Sequence, residues 1–193
     1  MFKIEIKMNR KKVGLMNRNE LKMSLKDLRD TIDVNKKNWT FNGDTNCYAY
    51  ALGLDIPEDN IGEAAFEPGV ISNVNSIYKD DNYSLKYSDL LNYLYSDLEA
   101  LGIGFKEIHP DERINDDEWK IALYTEFSAS KKNIEYLFDY HFLRQHKNGI
   151  WYHKFGWHSS PKNFDSNYKI ITNLKNCHID DYEYKKCLSL KIK

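Results

Sequence analysis

The chain is predicted to be an α+β domain, with helices in its first half and antiparallel strands in its second. Three observations predict this. A short apolar segment, Cys47 to Leu52, sits between cap residues. Leu90, Leu91, Leu94, Leu98 and Leu101 recur at helical spacing until Gly102. From Phe105 onward, aromatic and β-branched residues fall into short strand-like runs broken by turn residues.

Residues 1–37 are rich in Lys and Asn, with one modest amphipathic segment at Ser24-Leu25-Lys26-Asp27-Leu28-Arg29. They are expected to form a peripheral basic arm, leaving residues 38–193 as a single domain. The segment Thr45-Asn46-Cys47-Tyr48-Ala49-Tyr50-Ala51-Leu52-Gly53 reads as a short helix. Asp44 or Thr45 can serve as its N-cap, and Gly53 suits the left-handed position after its last turn. Pro57, Gly62, Pro68 and Gly69 punctuate the loop that follows. Ser88 is the expected N-cap of the leucine helix. Strands are expected at Phe105 to Ile108, Trp119 to Phe127, in a hairpin from Tyr136 to Phe155, and at Tyr168 to Thr172.

The hairpin turn, His146-Lys147-Asn148-Gly149-Ile150, allows two registers. A two-residue Asn-Gly turn puts His141 and His153 on opposite faces. A three-residue loop with Gly149 at a left-handed bulge sets Leu143 opposite His153 and His141 opposite Phe155. It places His141 and His153 as diagonal neighbours on one face, with Asp139 and Gln145 beside them. The three-residue loop is the expected form.

Composition narrows the function. The 193 residues are 41% hydrophobic and carry a net charge of -1, so no bulk field argues for nucleic acid or an anionic surface. The 14 tyrosines and 14% aromatic content suit a strand-rich domain or a groove for a polymeric substrate. No run approaches the roughly 20 apolar residues that a membrane helix needs. Met1 to Val13 is polar and basic, so no signal peptide is evident; a cytoplasmic protein is expected, with any delivery outside the cell by a non-Sec route. The three cysteines, Cys47, Cys177 and Cys187, do not read as a disulfide framework, although the last two can pair if the tail is a hairpin.

Cys47 opens a helix, where unpaired backbone N–H groups and the positive helix end favour thiolate over thiol. A base is available downstream in Asp139-Tyr140-His141-Phe142-Leu143-Arg144-Gln145. A Cys at a helix start, a His on a central strand and a third polar residue on the next strand resemble the NlpC-type and CHAP-type branches of the papain-like superfamily. Peptidoglycan amidase effectors of type VI secretion are similar too. Asp139-Tyr-His-Phe-Leu-Arg-Gln followed by Gly149-Ile-Trp-Tyr-His-Lys also resembles a block in bacterial proteins that carry an Asn-Cys-Tyr-Ala-Tyr-Ala segment. The likeness covers about residues 40–60 and 135–165. It implies a papain-like (NlpC-type) fold with a cysteine-bearing helix packed on an antiparallel sheet. It implies an amide hydrolase with Cys47 as nucleophile, His141 as base and His153 as the orienting residue, acting without a cofactor on a peptide or peptidoglycan substrate. The helix stops at Gly53, earlier than in papain-like enzymes, and no Gly-His pair precedes the base.

Asp139 and Asp165 are reserve candidates for the third position. Asn42 and Asn46 can each donate to an oxyanion beside the Cys47 N–H. Arg144 and Lys154 can bind a substrate carboxylate, and Trp151 and Trp157 can line a groove. Two other classes stay open. Asp139, His141, His153 and His158 offer ligands for a metal site, although neither CxxC nor HExxH occurs. A non-catalytic binding module, such as a toxin subunit or phage accessory protein, would keep a papain-like shell for its partner. Each residue also has a bland account: free cysteine is commonly a buried hydrophobe, and a strand histidine commonly bonds a carbonyl.

Overall fold

The structure, a computed structural model, describes residues 24–32, 45–54, 67–74, 85–131, 134–156 and 159–193. Its elements in chain order are α1 (Leu25–Asp30), α2 (Cys47–Leu52), β1 (Leu85–Lys86), α3 (Tyr87–Ala100), β2 (Ile103–Ile108), β3 (Glu118–Lys131), β4 (Ile134–Gln145), β5 (Trp151–His153), a 3-10 turn (Leu174–Asn176) and β6 (Tyr182–Ile192). The α+β expectation holds. Among the described residues one antiparallel sheet runs β1-β4-β3-β6-β2, with β5 also paired to β4.

The local signals act much as expected, with changes at the caps. Asn46, rather than Asp44 or Thr45, is the N-cap of α2: its side chain accepts from the Ala49 N–H, which makes Cys47 the first helical residue. Gly53 ends the helix at φ 81, a conformation that costs an L-residue roughly 1 kcal/mol or more. Helix α3 starts at Tyr87 after Lys86, so Ser88 lies inside it and its hydroxyl turns to Asp89. The expected strand at 168–172 is only an isolated bridge between Phe164 and Ile170.

The C-terminal strand β6 was not anticipated. It lies between β3 and β2 and so is an interior strand of the sheet. Strand alternation then divides the core in two. Phe142, Ile121, Leu123, Leu188 and Leu190 face α2 and α3, whose Tyr48, Leu52, Leu90, Leu94 and Leu98 cover them. Leu143, Ala122, Tyr124, Trp151 and Cys187 face the other way, onto Ile171, Leu174 and Ile179 of the chain after β5. Helix α1 buries Leu28 in the first core, and Arg29 donates to the Lys193 carbonyl, so this part of the expected peripheral arm is built into the domain.

One buried carboxylate ties the helices together. Asp97 of α3 accepts from the Tyr48 hydroxyl at 3.0 Å, the Gly69 N–H at 2.7 Å, and the Ser72 N–H and hydroxyl at 2.7 and 2.6 Å. Four donors compensate a charge that burial alone would make costly. Desolvation still holds the Asp97 carboxyl above its ordinary range.

Candidate active site

The hairpin adopts the three-residue loop. Leu143 pairs with His153 and Gln145 with Trp151; His146 N–H donates to Ile150 O, and Gly149 sits at φ 80. The register therefore puts His141 and His153 on one face, and they meet. His141 Nε2 and His153 Nδ1 are 2.8 Å apart, and His153 Nε2 lies 3.0 Å from the Phe164 carbonyl oxygen.

The partners assign the protons. A carbonyl only accepts, so His153 Nε2 carries hydrogen. Neutral His153 then presents a lone pair at Nδ1, which takes the hydrogen of His141 Nε2. Neutral His141 is left with its lone pair on Nδ1, the position a general base needs. Both rings are held neutral: burial, aided by His153, pushes His141 down to about 3, and burial also lowers His153.

Aromatic rings brace His141. Phe155 stacks on His141 with ring centres 5.0 Å apart and planes 14° apart, and Tyr182 approaches from another side at 5.6 Å. Phe155 lies beyond the end of β5, so it meets His141 by stacking and not as a strand partner. Asp139 accepts the Tyr182 hydroxyl at 2.9 Å through Oδ2, and Oδ1 accepts the Tyr140 N–H at 2.8 Å.

Cys47 comes to the same strand from the helix layer. The backbone N–H of Phe142, the residue after His141, is among the groups that act on its thiol, in the direction that favours thiolate. Between β1, paired at residues 136–137, and β5, paired at 143–145, the β4 edge at 138–142 has no strand partner among the described residues. The thiol rests at that edge.

Two expectations are corrected here. Phe142 faces α2, so alternation turns His141 to the other side of β4, and among the described residues no hydrogen bond joins the thiol to an imidazole nitrogen. The thiol is also not acidified. Cys47 is 8% exposed, and burial, with Glu67 and Asp139 adding negative charge, pushes it up to about 12. The N–H donors from Phe142 and Tyr48 pull the other way but are outweighed. A helix of six residues has too small a dipole to offset desolvation on this scale.

The remaining predicted residues scatter. Asn46 directs Oδ1 to the Ala49 N–H as a cap. Trp151 is 1% exposed and belongs to the second core, so it lines no groove. Arg144 is buried with its guanidinium 5.7 Å from the Trp119 ring centre, not on an open strand face. Lys154 is buried and donates to the Thr45 hydroxyl at 3.2 Å. Asp165 spends its carboxylate on the N–H groups of Asn167, Lys169 and His178, so it shapes a loop and does not orient His141. Asn42, Trp157 and His158 lie outside the described residues. Among the described residues no three His, Cys, Asp or Glu side chains are grouped as a metal site. All three cysteines are free.

The Phe164 carbonyl and Tyr182 are the site groups that sequence reasoning missed. A backbone carbonyl has no side-chain signature, and Tyr182 reaches the site only because β6 enters the sheet.

No protein-family model matches the chain, and no curated protein and no solved structure matches it. No helix among the described residues is long and apolar enough to cross a membrane.

Proposed function

We propose that the protein is a cysteine hydrolase of amide bonds with a papain-like arrangement, using Cys47, His141 and His153. The observation that carries this reading is the chain His141 Nε2, His153, Phe164 O, because it fixes a buried neutral imidazole with its basic lone pair on Nδ1. An imidazole kept for packing alone does not need a second histidine to set its tautomer. The thiol at the N–H of the very next residue supplies a nucleophile.

In this mechanism the resting pair is neutral, because burial opposes both thiolate and imidazolium. Deprotonation therefore accompanies attack. The resting structure holds Cys47 and His141 on different sides of β4, so this mechanism requires the two to meet at the strand edge when substrate binds. The Cys47 sulfur then adds to the amide carbonyl as its proton passes to His141 Nδ1, and the Cys47 backbone N–H at the helix start stabilises the oxyanion. Collapse of the tetrahedral species breaks the C–N bond, and the amine leaves with the proton from His141. Water, deprotonated by His141, then attacks the thioester and releases the carboxylic acid and the thiol. Peptide or peptidoglycan stem amides are the proposed substrate class, by family likeness.

A non-catalytic binding module is the second reading, and the buried neutral thiol without an imidazole bond favours it. Assays with peptide and stem-peptide amides separate the two. Hydrolysis by the native chain, lost in both Cys47→Ala and His141→Ala with no further loss in the double variant, supports the enzyme. Equal substrate affinity in native and Cys47→Ala protein, with no turnover in either, supports the binding module.

A further inference from the structure

Beside the histidine pair the chain carries an exposed strip of aromatic rings around one lysine. Phe155 is 41% exposed although its ring stacks on His141. Lys162 Nζ lies 5.8 Å from the Phe155 ring centre and 5.5 Å from that of Phe164. Phe164 stacks on Tyr168 at 6.0 Å with planes 22° apart, and Tyr168 is 85% exposed.

This strip is fixed to the site. His153 and Lys162 exchange both backbone hydrogen bonds, at 2.9 and 2.8 Å, and Phe164 supplies the carbonyl that holds His153. Tyr168 takes the left-handed conformation at φ 60, in a turn held by the Asp165 carboxylate. A bulky residue in that region is a strained choice that persists where its surroundings impose it.

Exposed Lys106, Lys175 and Lys191 each meet a carboxylate, as does the part-buried Lys185. Among the described residues Lys162 forms no ion pair: its ammonium lies over aromatic faces, and its charge is felt at His153. An ammonium over two rings keeps a direction open to an anion, and exposed apolar surface beside a reactive pair marks a ligand site.

We infer that Phe155, Lys162, Phe164 and Tyr168 form a substrate shelf for a carboxylate-bearing segment of the amide substrate. The substrate's apolar faces lie on the rings and its carboxylate meets Lys162. This deepens the hydrolase reading of the same site and rests on it.

Binding to the Cys47→Ala chain tests the shelf without turnover. The probes are N-acetyl-Leu-Glu-Ala amide and its Gln counterpart, measured by calorimetry. The Glu peptide should bind about fivefold tighter. Lys162→Gln should abolish that preference and Lys162→Glu should reverse it, while Phe155→Ala should weaken both peptides. A preference unchanged in Lys162→Glu, or equal affinity for the two peptides before any change at Lys162, overturns the shelf. A Lys162-dependent preference in a chain that hydrolyses no amide would uphold the shelf and reject the hydrolase.

Discussion

His141 and His153, twelve positions apart, meet Nε2 to Nδ1 at 2.8 Å with ring planes 85° apart. The contact depends on the diagonal that the hairpin register creates, and the Phe164 carbonyl gives it a direction. Under the proposed hydrolase reading His153 acts on chemistry through His141, as a positioning residue.

His153→Ala should lower kcat about 10²–10⁴-fold with little change in KM, by analogy with loss of the orienting group in other base-assisted hydrolases. His153→Asn, whose side-chain oxygen can accept from His141 Nε2, should recover part of that loss. Nitrogen-15 NMR should show His141 protonated at Nε2 in the native chain and a mixture of tautomers in His153→Ala. An unchanged tautomer would remove His153 from the mechanism.

Cys47 should react more slowly than Cys177 at neutral pH. Its sulfur is buried and pushed up to about 12, whereas Cys177 is half-buried and pushed up to about 11. Iodoacetamide labelling followed by peptide mass spectrometry should place Cys177 ahead of Cys47 at pH 7. Faster labelling of Cys47 at pH 6 would mean that a thiolate–imidazolium pair already exists, contrary to the neutral resting state.

Stability should fall with acidification. The unfolded chain protonates its histidines near 6.5. The folded chain resists until about 3 at His141 and about 4 at His146, with His153 also lowered. Stability present above about 6.5 is lost as pH falls towards these folded values, at about 1.4 kcal/mol per pH unit for each histidine excluded from protonation. Urea unfolding at pH 7.5 and 5 checks this. His141→Leu should lose about 2 kcal/mol less than the native chain between those two values. Parallel losses in the two proteins would mean that His141 is not held neutral by the fold.

Asp97→Ala should destabilise by about 3 kcal/mol, because four donors lose one acceptor in a buried place. Tyr48→Phe, which removes only one of them, should cost about 1 kcal/mol. Thermal unfolding of both variants measures the difference. A drop of Asp97→Ala no larger than that of Tyr48→Phe would deny Asp97 its role in joining α3, α2 and the 67–74 loop.

The sequence by itself determined what neighbours along the chain decide. Helix α2 is short because Gly53 takes a left-handed conformation, although its cap proved to be Asn46 and not Asp44 or Thr45. Helix α3 buries Leu90, Leu94 and Leu98 because their spacing puts them on one stripe. The register of β4 and β5 was legible because a turn of a few residues fixes it, and the shared face of His141 and His153 follows from that register. The sign of the Cys47 shift was decided only by the tertiary structure. A cap and a helix end stabilise a thiolate over one turn, but desolvation depends on everything packed above it. The place of β6, the Tyr182 ring beside His141 and the Phe164 carbonyl on His153 have the same origin. Each joins residues far apart in the chain, and no local pattern records which distant backbone will arrive at a given side chain.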